Sequence, residues 1–242
     1  MEMDLVELWS HMNNLVRAVV IVLTIQAVSG IYVVIDRLIL LLMSGARSRK
    51  FAAEAGRKLE SGQYEDALTI AKKHEKSHLA QFIAIGVQTF LDRRRGGHSS
   101  HKAAEFTQRA LERKGENLSD SLNRGLAILA STGSTAPFIG LLGTVLGILN
   151  AFRAIGEEAS GGMGTIGPMI AEALIVTGYG LLVAIPSVLA FNWLSNRVAK
   201  YEHGLANAGS ELVDQLEAGT TGGTSPDTEV EPASGEAVPS AA

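Results

Sequence analysis

The chain has 242 residues, of which 46% are hydrophobic, 5% aromatic and 19% charged, and its formal net charge is -4. It contains no cysteine, which excludes disulfides, thiolate metal sites and cysteine nucleophiles. The negative net charge and the scarcity of aromatic residues argue against nucleic-acid binding. The sequence also has no nucleotide-binding loop of the GxxxxGK(S/T) type. We therefore expect no nucleic-acid partner, no bound metal and no cofactor.

Three long stretches of the sequence are almost free of charged residues. No Asp, Glu, Lys or Arg lies within 18–35 or between Arg124 and Arg153. Between Glu158 and Arg197 there is one, Glu172. A helix that crosses a bilayer core needs about 20 predominantly apolar residues, and each stretch reaches or approaches that length. The sequence predicts an all-α, polytopic membrane protein with three transmembrane helices and long cytoplasmic helical extensions.

The charge pattern divides the chain into eight segments. We expect a short periplasmic N-terminal segment (1–17), a first transmembrane helix with its cytoplasmic end (18–43), a cytoplasmic helical region (44–125), a second transmembrane helix (126–152), a short periplasmic loop (153–165), a third transmembrane helix (166–196), a cytoplasmic helical extension (197–218) and a disordered tail (219–242). The acidic residues before the first apolar run differ from the basic start of a signal peptide, so this run is predicted to be a retained helix.

The orientation follows from the basic residues of the middle region. Residues 44–124 carry sixteen Lys or Arg against ten Asp or Glu, whereas each of the other two flanks, 1–17 and 153–165, carries one Arg. Because cytoplasmic flanks of transmembrane helices are enriched in Lys and Arg, the middle region is predicted to be cytoplasmic. The amino terminus and the short loop then lie in the periplasm, and the carboxyl tail lies in the cytoplasm.

The cytoplasmic region is predicted to be helical, with a break at Gly96-Gly97. Beyond the break, leucines recur at spacings of seven, four, four and three residues, which places them on one helical face. They run without a proline into the second apolar stretch, so we expect one continuous helix from the cytoplasm into the membrane. The leucines are Leu111, Leu118, Leu122, Leu126 and Leu129.

Glu172 is the residue that bears most directly on function. A carboxylate inside a bilayer costs at least about 2.5 kcal/mol, and such groups usually face the interior of a helix bundle or a water-filled cavity. One interpretation is a site that loads and releases protons, because desolvation disfavours the anion. The alternative is a protonated glutamate that only joins neighbouring helices. We favour the proton-carrying interpretation.

Small and hydroxylated residues surround this carboxyl in sequence. Glycines recur along the second apolar stretch and are expected to let helix backbones approach closely. Thr144 lies beside this stripe, and Thr177 lies five residues after Glu172. Each threonine taken alone is more often structural than functional. Pro186 is expected to kink or loosen the third helix. The glycines are Gly133, Gly140, Gly143 and Gly147.

Two motifs in these stretches resemble those of a known family. The run from Ala136 to Val145, APFIGLLGTV, closely resembles the second-span signature of the MotA/TolQ/ExbB proton-channel family. Residues 170–174, IAEAL, together with Thr177 and the Ala-Ile-Pro of 184–186, resemble its third-span signature. The intramembrane glutamate favours the TolQ/ExbB branch over the flagellar MotA branch.

The resemblance implies a function and partners. Members of this family form inner-membrane homopentamers around two copies of a small single-span TolR/ExbD-like partner, whose aspartate takes up the proton. Proton flow rotates the pentamer and transmits force to the cell envelope. By resemblance, Glu172, Thr144 and Thr177 are the proton-pathway residues. Tyr179 stands where relatives commonly have small residues, so it is expected to alter the shape of the pore.

The load of such a motor differs between members: outer-membrane uptake, envelope constriction or gliding. The acidic, proline-bearing tail brings the gliding motors into consideration. A rival interpretation is a non-conducting membrane scaffold of the same fold, which only Glu172 and its threonines argue against. A remote one is a zinc protease, because residues 74–78 read HEKSH, an HExxH motif. Lysines at 72, 73 and 76 oppose a metal cation there, and we expect no enzyme activity.

Overall fold

The computed structural model describes residues 9, 12–157 and 163–221, with side chains up to 156 and again for 166–218. These ranges consist of helices joined by short turns, which confirms the all-α prediction. The helices are α1 (Asn14–Glu60), α2 (Tyr64–Lys73), α3 (His78–Arg95), α4 (Ser100–Asn123), α5 (Leu126–Glu157) and α6 (Met163–Thr221).

Three helices, α1, α5 and α6, are long and apolar enough to cross a membrane, which confirms the three predicted transmembrane helices. In the apolar 18-residue segment of each helix, only 22%, 22% and 28% of the residues, respectively, are buried within the chain. Large side chains such as Tyr32, Phe138 and Leu182 are more than two thirds exposed. A helix surface this apolar requires a bilayer or neighbouring apolar helices to cover it, because water does not solvate it favourably.

Within the membrane half, α5 and α6 run antiparallel and α1 lies against both. A Cβ built on Gly143 of α5 would lie 2.5 Å from Val176 Cγ1 of α6 and 3.2 Å from Val19 Cγ1 of α1, so the three helices meet at this glycine. A buried apolar cluster surrounds the meeting point. Its buried members are Met12, Val16, Val19, Leu23, Ala136, Val176, Val183 and Ala184.

The half of the molecule away from the apolar segments is a separate helical bundle, the α2–α4 bundle, with its own core. The extended ends of α1 and α6 form two of its walls, and α2, α3 and α4 pack against them. Side chains of Ser77 and Ser99 accept hydrogen bonds from Ala80 N and Lys102 N and so cap α3 and α4. The largest buried core residues are Phe51, Phe82, Ile83, Val87, Phe90, Leu111, Leu118, Leu205, Leu212 and Leu216.

The predicted continuous helix from the cytoplasm into the membrane is wrong in one respect. All five leucines are buried on one face, but the chain turns at Arg124-Gly125, where Gly125 has a φ of +84°. A glycine adopts this left-handed conformation without the strain that a side chain imposes. Arg37 of α1 secures the turn, because its guanidinium donates to the carbonyl oxygens of Ser121 (2.6 Å) and Leu122 (3.4 Å) at the end of α4.

The region predicted to be cytoplasmic also contains more breaks than the sequence predicts. Helices end before residues 61–63, 74–77 and 96–99, rather than at Gly96-Gly97 alone. By contrast, Pro186 lies inside an unbroken α6, as Pro137 lies inside α5. Residues 158–162 of the predicted periplasmic loop and nearly all of the predicted disordered tail lie outside the described residues.

Candidate functional site

Glu172 lies on α6, half-buried, within its apolar segment. The neighbouring Ala173 faces α5, since its Cβ lies 2.6 Å from where a Cβ on Gly147 would be. Glu172 belongs to the stripe that continues with Val176, Tyr179 and Val183, at helical spacings of four, three and four residues. Members of this stripe contact α1. Glu172 therefore lies on the side of α6 that faces α1.

Thr177 lies on a different side of α6, towards α5. Its Oγ1 donates a 2.8 Å hydrogen bond to the carbonyl oxygen of Gly140. Thr144 follows Gly140 by four residues on α5, so the two lie on one face, about one helical turn apart. Thr144 is buried, and its Oγ1 donates to the carbonyl oxygen of Leu141 at 2.7 Å. The two predicted threonines thus both lie at the α5–α6 contact, about one helical turn apart.

The three predicted proton-pathway residues therefore form two groups within one chain. Thr144 and Thr177 lie at the α5–α6 contact, while Glu172 lies about 140° around α6 from Thr177 on an ideal helix. Tyr179 belongs to the Glu172 side, because its hydroxyl lies 3.1 Å from Thr24 Oγ1 of α1. The two groups therefore lie on different sides of α6.

The glycine stripe of α5 faces α6 of the same chain. A Cβ added to any of its members would come within 2.4 to 3.2 Å of α6 atoms, so a larger residue there would push the two helices apart. The stripe therefore serves close packing between two helices of the same chain. The stripe consists of Gly133, Gly140, Gly143 and Gly147.

Gly180 is a packing residue that the sequence interpretation missed. A Cβ added there would lie 2.7 Å from the carbonyl oxygen of Ala136 and 3.0 Å from Gly140 Cα, so backbone meets backbone at this point. Its signal in the sequence is the pair Gly180 and Ala184, two small residues four apart, the spacing at which membrane helices approach closely.

Polar side chains within the apolar runs also escaped the sequence interpretation. Asn13 Nδ2 donates to Asn150 Oδ1 at 2.9 Å near the end of the bundle, and Gln26 Nε2 donates to Thr135 Oγ1 at 3.1 Å in its middle. Together with the contact between Thr24 and Tyr179, these bonds fix α1 against α5 and α6. A polar residue inside an apolar stretch is the signal that such bonds leave in a sequence.

The HExxH motif does not form a metal-binding face. His74 is the C-cap that follows α2 and His78 begins α3, so a turn separates the two imidazoles. His74 Nε2 lies 3.0 Å from Glu54 Oε2, whereas His78 Nδ1 lies 3.0 Å from Ser44 Oγ. Among the described residues, no group of three or more His, Asp or Glu side chains could hold a metal ion.

His78 instead belongs to a cluster of hydroxyl groups. Tyr201 of α6 places its hydroxyl 2.7 Å from Ser44 Oγ and 3.0 Å from Ser48 Oγ of α1, and Ser44 contacts His78. Burial lowers the pKa of His78, and the positive charges of Lys114 and Arg47 lower it further. The cluster therefore favours a neutral imidazole at the point where α1, α3 and α6 meet.

The sequence profile of the MotA/TolQ/ExbB proton channel family matches residues 74–207, which is more than half of the chain. The chain belongs to this family. The matched range includes α5, the transmembrane part of α6 and all three predicted pathway residues. It also contains helices α3 and α4.

Individual relatives within this family are named either ExbB, a biopolymer transport protein, or TolQ, a protein of the Tol-Pal system. The biopolymer transport protein ExbB of Xanthomonas campestris pv. campestris strain B100 is 45% identical over 100 residues, which cover 41% of this chain and 40% of that protein. ExbB of Salmonella typhimurium is 28% identical over 69% of this chain and 68% of its own. The Tol-Pal system protein TolQ of Haemophilus influenzae is 29% identical over 85% of this chain and 90% of its own. The chain thus matches only about two fifths of the Xanthomonas relative.

Proposed function

We propose that the chain is the proton-channel subunit of an inner-membrane motor that uses the proton motive force to do work on the cell envelope. The observation that supports this most directly is the position of Glu172, a carboxyl half-buried between transmembrane helices in an otherwise uncharged segment. An ionisable group at such a depth is costly and is usually kept for ion transfer. One charge that crosses 100 mV supplies about 2.3 kcal/mol, which suits a motor.

The proposed pathway consists of two groups of side chains. Glu172 takes up a proton on the α1-facing side of α6, and the hydroxyls of Thr144 and Thr177 at the α5–α6 contact orient water or the carboxyl as the proton moves inward. Hydroxyl groups both donate and accept hydrogen bonds, so they can hold water in either direction of transfer. The carboxyl that exchanges protons with Glu172 belongs, by family resemblance, to the partner.

The proposed assembly is a homopentamer around two copies of a small single-span partner of the TolR/ExbD type. The apolar surface of the single chain supports an assembly of this kind, because α5 exposes Phe138, Leu141, Leu142 and Val145 away from α6. Such a surface fits apolar helices of neighbouring subunits or of the partner, or the acyl chains of lipid. The load is an envelope process such as uptake, constriction or gliding.

The proposed orientation places the loop between α5 and α6 in the periplasm and α2 to α4 in the cytoplasm. The chain has no native cysteine, so single cysteines report without background. Ser61, after α1, is exposed, and a Cβ on Gly156 meets nothing within 4 Å. In intact spheroplasts, an impermeant maleimide should label Gly156→Cys and not Ser61→Cys. The reverse labelling pattern would contradict this orientation.

The function is tested by reconstituting the complex of this chain and its single-span partner into liposomes. A potassium diffusion potential is applied, and the internal pH is followed with a trapped dye. Proton uptake well above that of protein-free liposomes is the expected result. An assembled complex that carries no protons would instead support the scaffold interpretation.

A further inference from the structure

Helices α1 and α6 run parallel, and three contacts define their register. Thr24 lies against Tyr179, Gly30 against Ser187, and Ser44 against Tyr201. The residue number on α6 exceeds that on α1 by 155 to 157 at each contact. The register is therefore almost constant over five to six turns of the two helices.

The same register places Arg17 of α1 at the level of Glu172. Arg17 precedes Thr24 by seven residues, and Glu172 precedes Tyr179 by seven. Seven residues bring an α-helix back to within about 20° of the same face. Since Thr24 and Tyr179 contact each other, Arg17 and Glu172 occupy corresponding positions two turns nearer the amino-terminal ends of their helices.

Residues between the Thr24–Tyr179 pair and the Arg17–Glu172 pair indicate the same relative orientation of α1 and α6. Val20 of α1 and Val176 of α6, which lie between the pairs, belong to one apolar cluster together with Tyr179. Arginine and glutamate side chains together have more rotatable bonds than threonine and tyrosine, so a separation that Thr24 and Tyr179 bridge is within their reach.

Arg17 is half-buried one turn from Asn13, at the end of the membrane bundle. Its Nε donates to the carbonyl oxygen of Trp9 at 3.1 Å, and its guanidinium carbon lies 5.7 Å from the centre of the Trp9 ring. A guanidinium has five N–H donors in a planar fork and stays protonated, so it can bind a carbonyl and a carboxylate together or in turn.

We infer that Arg17 is a positioning residue for proton transfer: its guanidinium binds the carboxylate of Glu172 and releases it when Glu172 takes up a proton. This inference rests on the proposed function. The carboxylate binds one proton and becomes a neutral carboxyl, while Arg17 keeps its own protons and its interaction with Trp9. The positive charge of Arg17 stabilises the carboxylate on the α1-facing side of α6. When Glu172 takes up a proton, the carboxyl loses its negative charge and is free to turn towards the threonines.

The test compares Arg17→Gln, Arg17→Lys and the matched control Arg197→Gln in the complete complex with its partner. Arg197 is a suitable control because its guanidinium also lies over a tryptophan, 5.0 Å from the ring of Trp193, but at the far end of the α6 span. Proton flux into liposomes is measured against external pH. Arg17→Gln should move the midpoint of the profile upward by about one pH unit, the shift that a tenfold change in the stability of the carboxylate produces. Arg17→Lys and Arg197→Gln should leave the midpoint unchanged.

A stability measurement tests the pairing independently of flux. The melting temperatures of Arg17→Gln, Glu172→Gln and the double variant form a double-mutant cycle. If the two side chains bind each other, the double variant loses less than the two single variants together. Additive losses, or an unshifted flux midpoint in Arg17→Gln, would overturn the pairing while leaving the role of Glu172 intact. A wild-type complex that carries no protons would instead remove the proposed function itself.

Discussion

The hydroxyl of Thr177 donates a 2.8 Å hydrogen bond to the carbonyl oxygen of Gly140, which ties the third transmembrane helix to the backbone of the second. The bond is possible because glycines at 140 and 180 let the two backbones approach within ordinary contact distance. Thr177 therefore has a structural bond at the same place where we propose a role in proton transfer. The two roles are separable by substitution.

Thr177→Ser keeps the hydroxyl and should retain both assembly and proton flux. Thr177→Val keeps the shape but removes the donor, and should lower stability by about 0.6 kcal/mol, the mean for hydrogen bonds between membrane helices. A role in transfer adds a partial loss of flux in Thr177→Val complexes that are fully assembled. Flux per assembled complex is the quantity to measure. Equal flux in the two variants would limit Thr177 to packing.

Gly180→Ala should destabilise the contact between α5 and α6. The new methyl would meet the carbonyl oxygen of Ala136 at 2.7 Å, and backbone cannot move aside as a side chain does. Overpacking of this kind costs about 1–3 kcal/mol. Gly178→Ala is the matched control on the same helix, since a Cβ there meets nothing within 4 Å. The melting temperature should fall for Gly180→Ala alone, and equal values for both variants would contradict this packing.

His78 should make the α2–α4 bundle less stable in acid. Burial, Lys114 and Arg47 lower its pKa in the folded chain, so the unfolded chain binds the proton more readily. Stability is therefore lost as the pH falls through the ordinary histidine value of about 6.5 towards the lower value in the fold.

The measurement is the melting temperature of the purified complex at several pH values between 7.5 and 5. His78→Asn, which keeps a polar group near Ser44, should show a weaker dependence on pH than the wild type. His203→Asn, at an exposed position of α6, serves as the control and should match the wild type. The same slope in all three proteins would contradict the role assigned to His78.

Sequence patterns predicted those features that depend on composition and helical periodicity. The absence of charge identified α1, α5 and α6, and the leucine spacing identified the buried face from Leu111 to Leu129. The break in that helix was missed because the helical spacing of the leucines continues through Arg124-Gly125, from Leu122 to Leu126, and the φ of +84° at Gly125 is a tertiary requirement.

Features that depend on the register between helices were not predicted. The sequence places Thr144 on the second apolar stretch and Glu172 and Thr177 on the third. Which of them lie at the same helix contact depends on how α5 and α6 align. The same alignment turns Tyr179 towards Thr24 and uses the α5 glycines inside the chain. A single sequence shows which residues share a helix face, but it leaves open which neighbouring helix covers that face. Helices of the same chain and helices of another subunit are equally apolar, so composition does not distinguish them.

The central claim is that Glu172 carries protons, and Glu172→Gln tests it most directly. Glutamine keeps the size and hydrogen-bonding capacity of the side chain but cannot ionise. The measurement is partner-dependent proton flux into liposomes, with assembly followed by native mass spectrometry of the same preparation. The account predicts an assembled complex with flux reduced to the level of protein-free liposomes. Full flux through an assembled Glu172→Gln complex would contradict it and leave the scaffold interpretation.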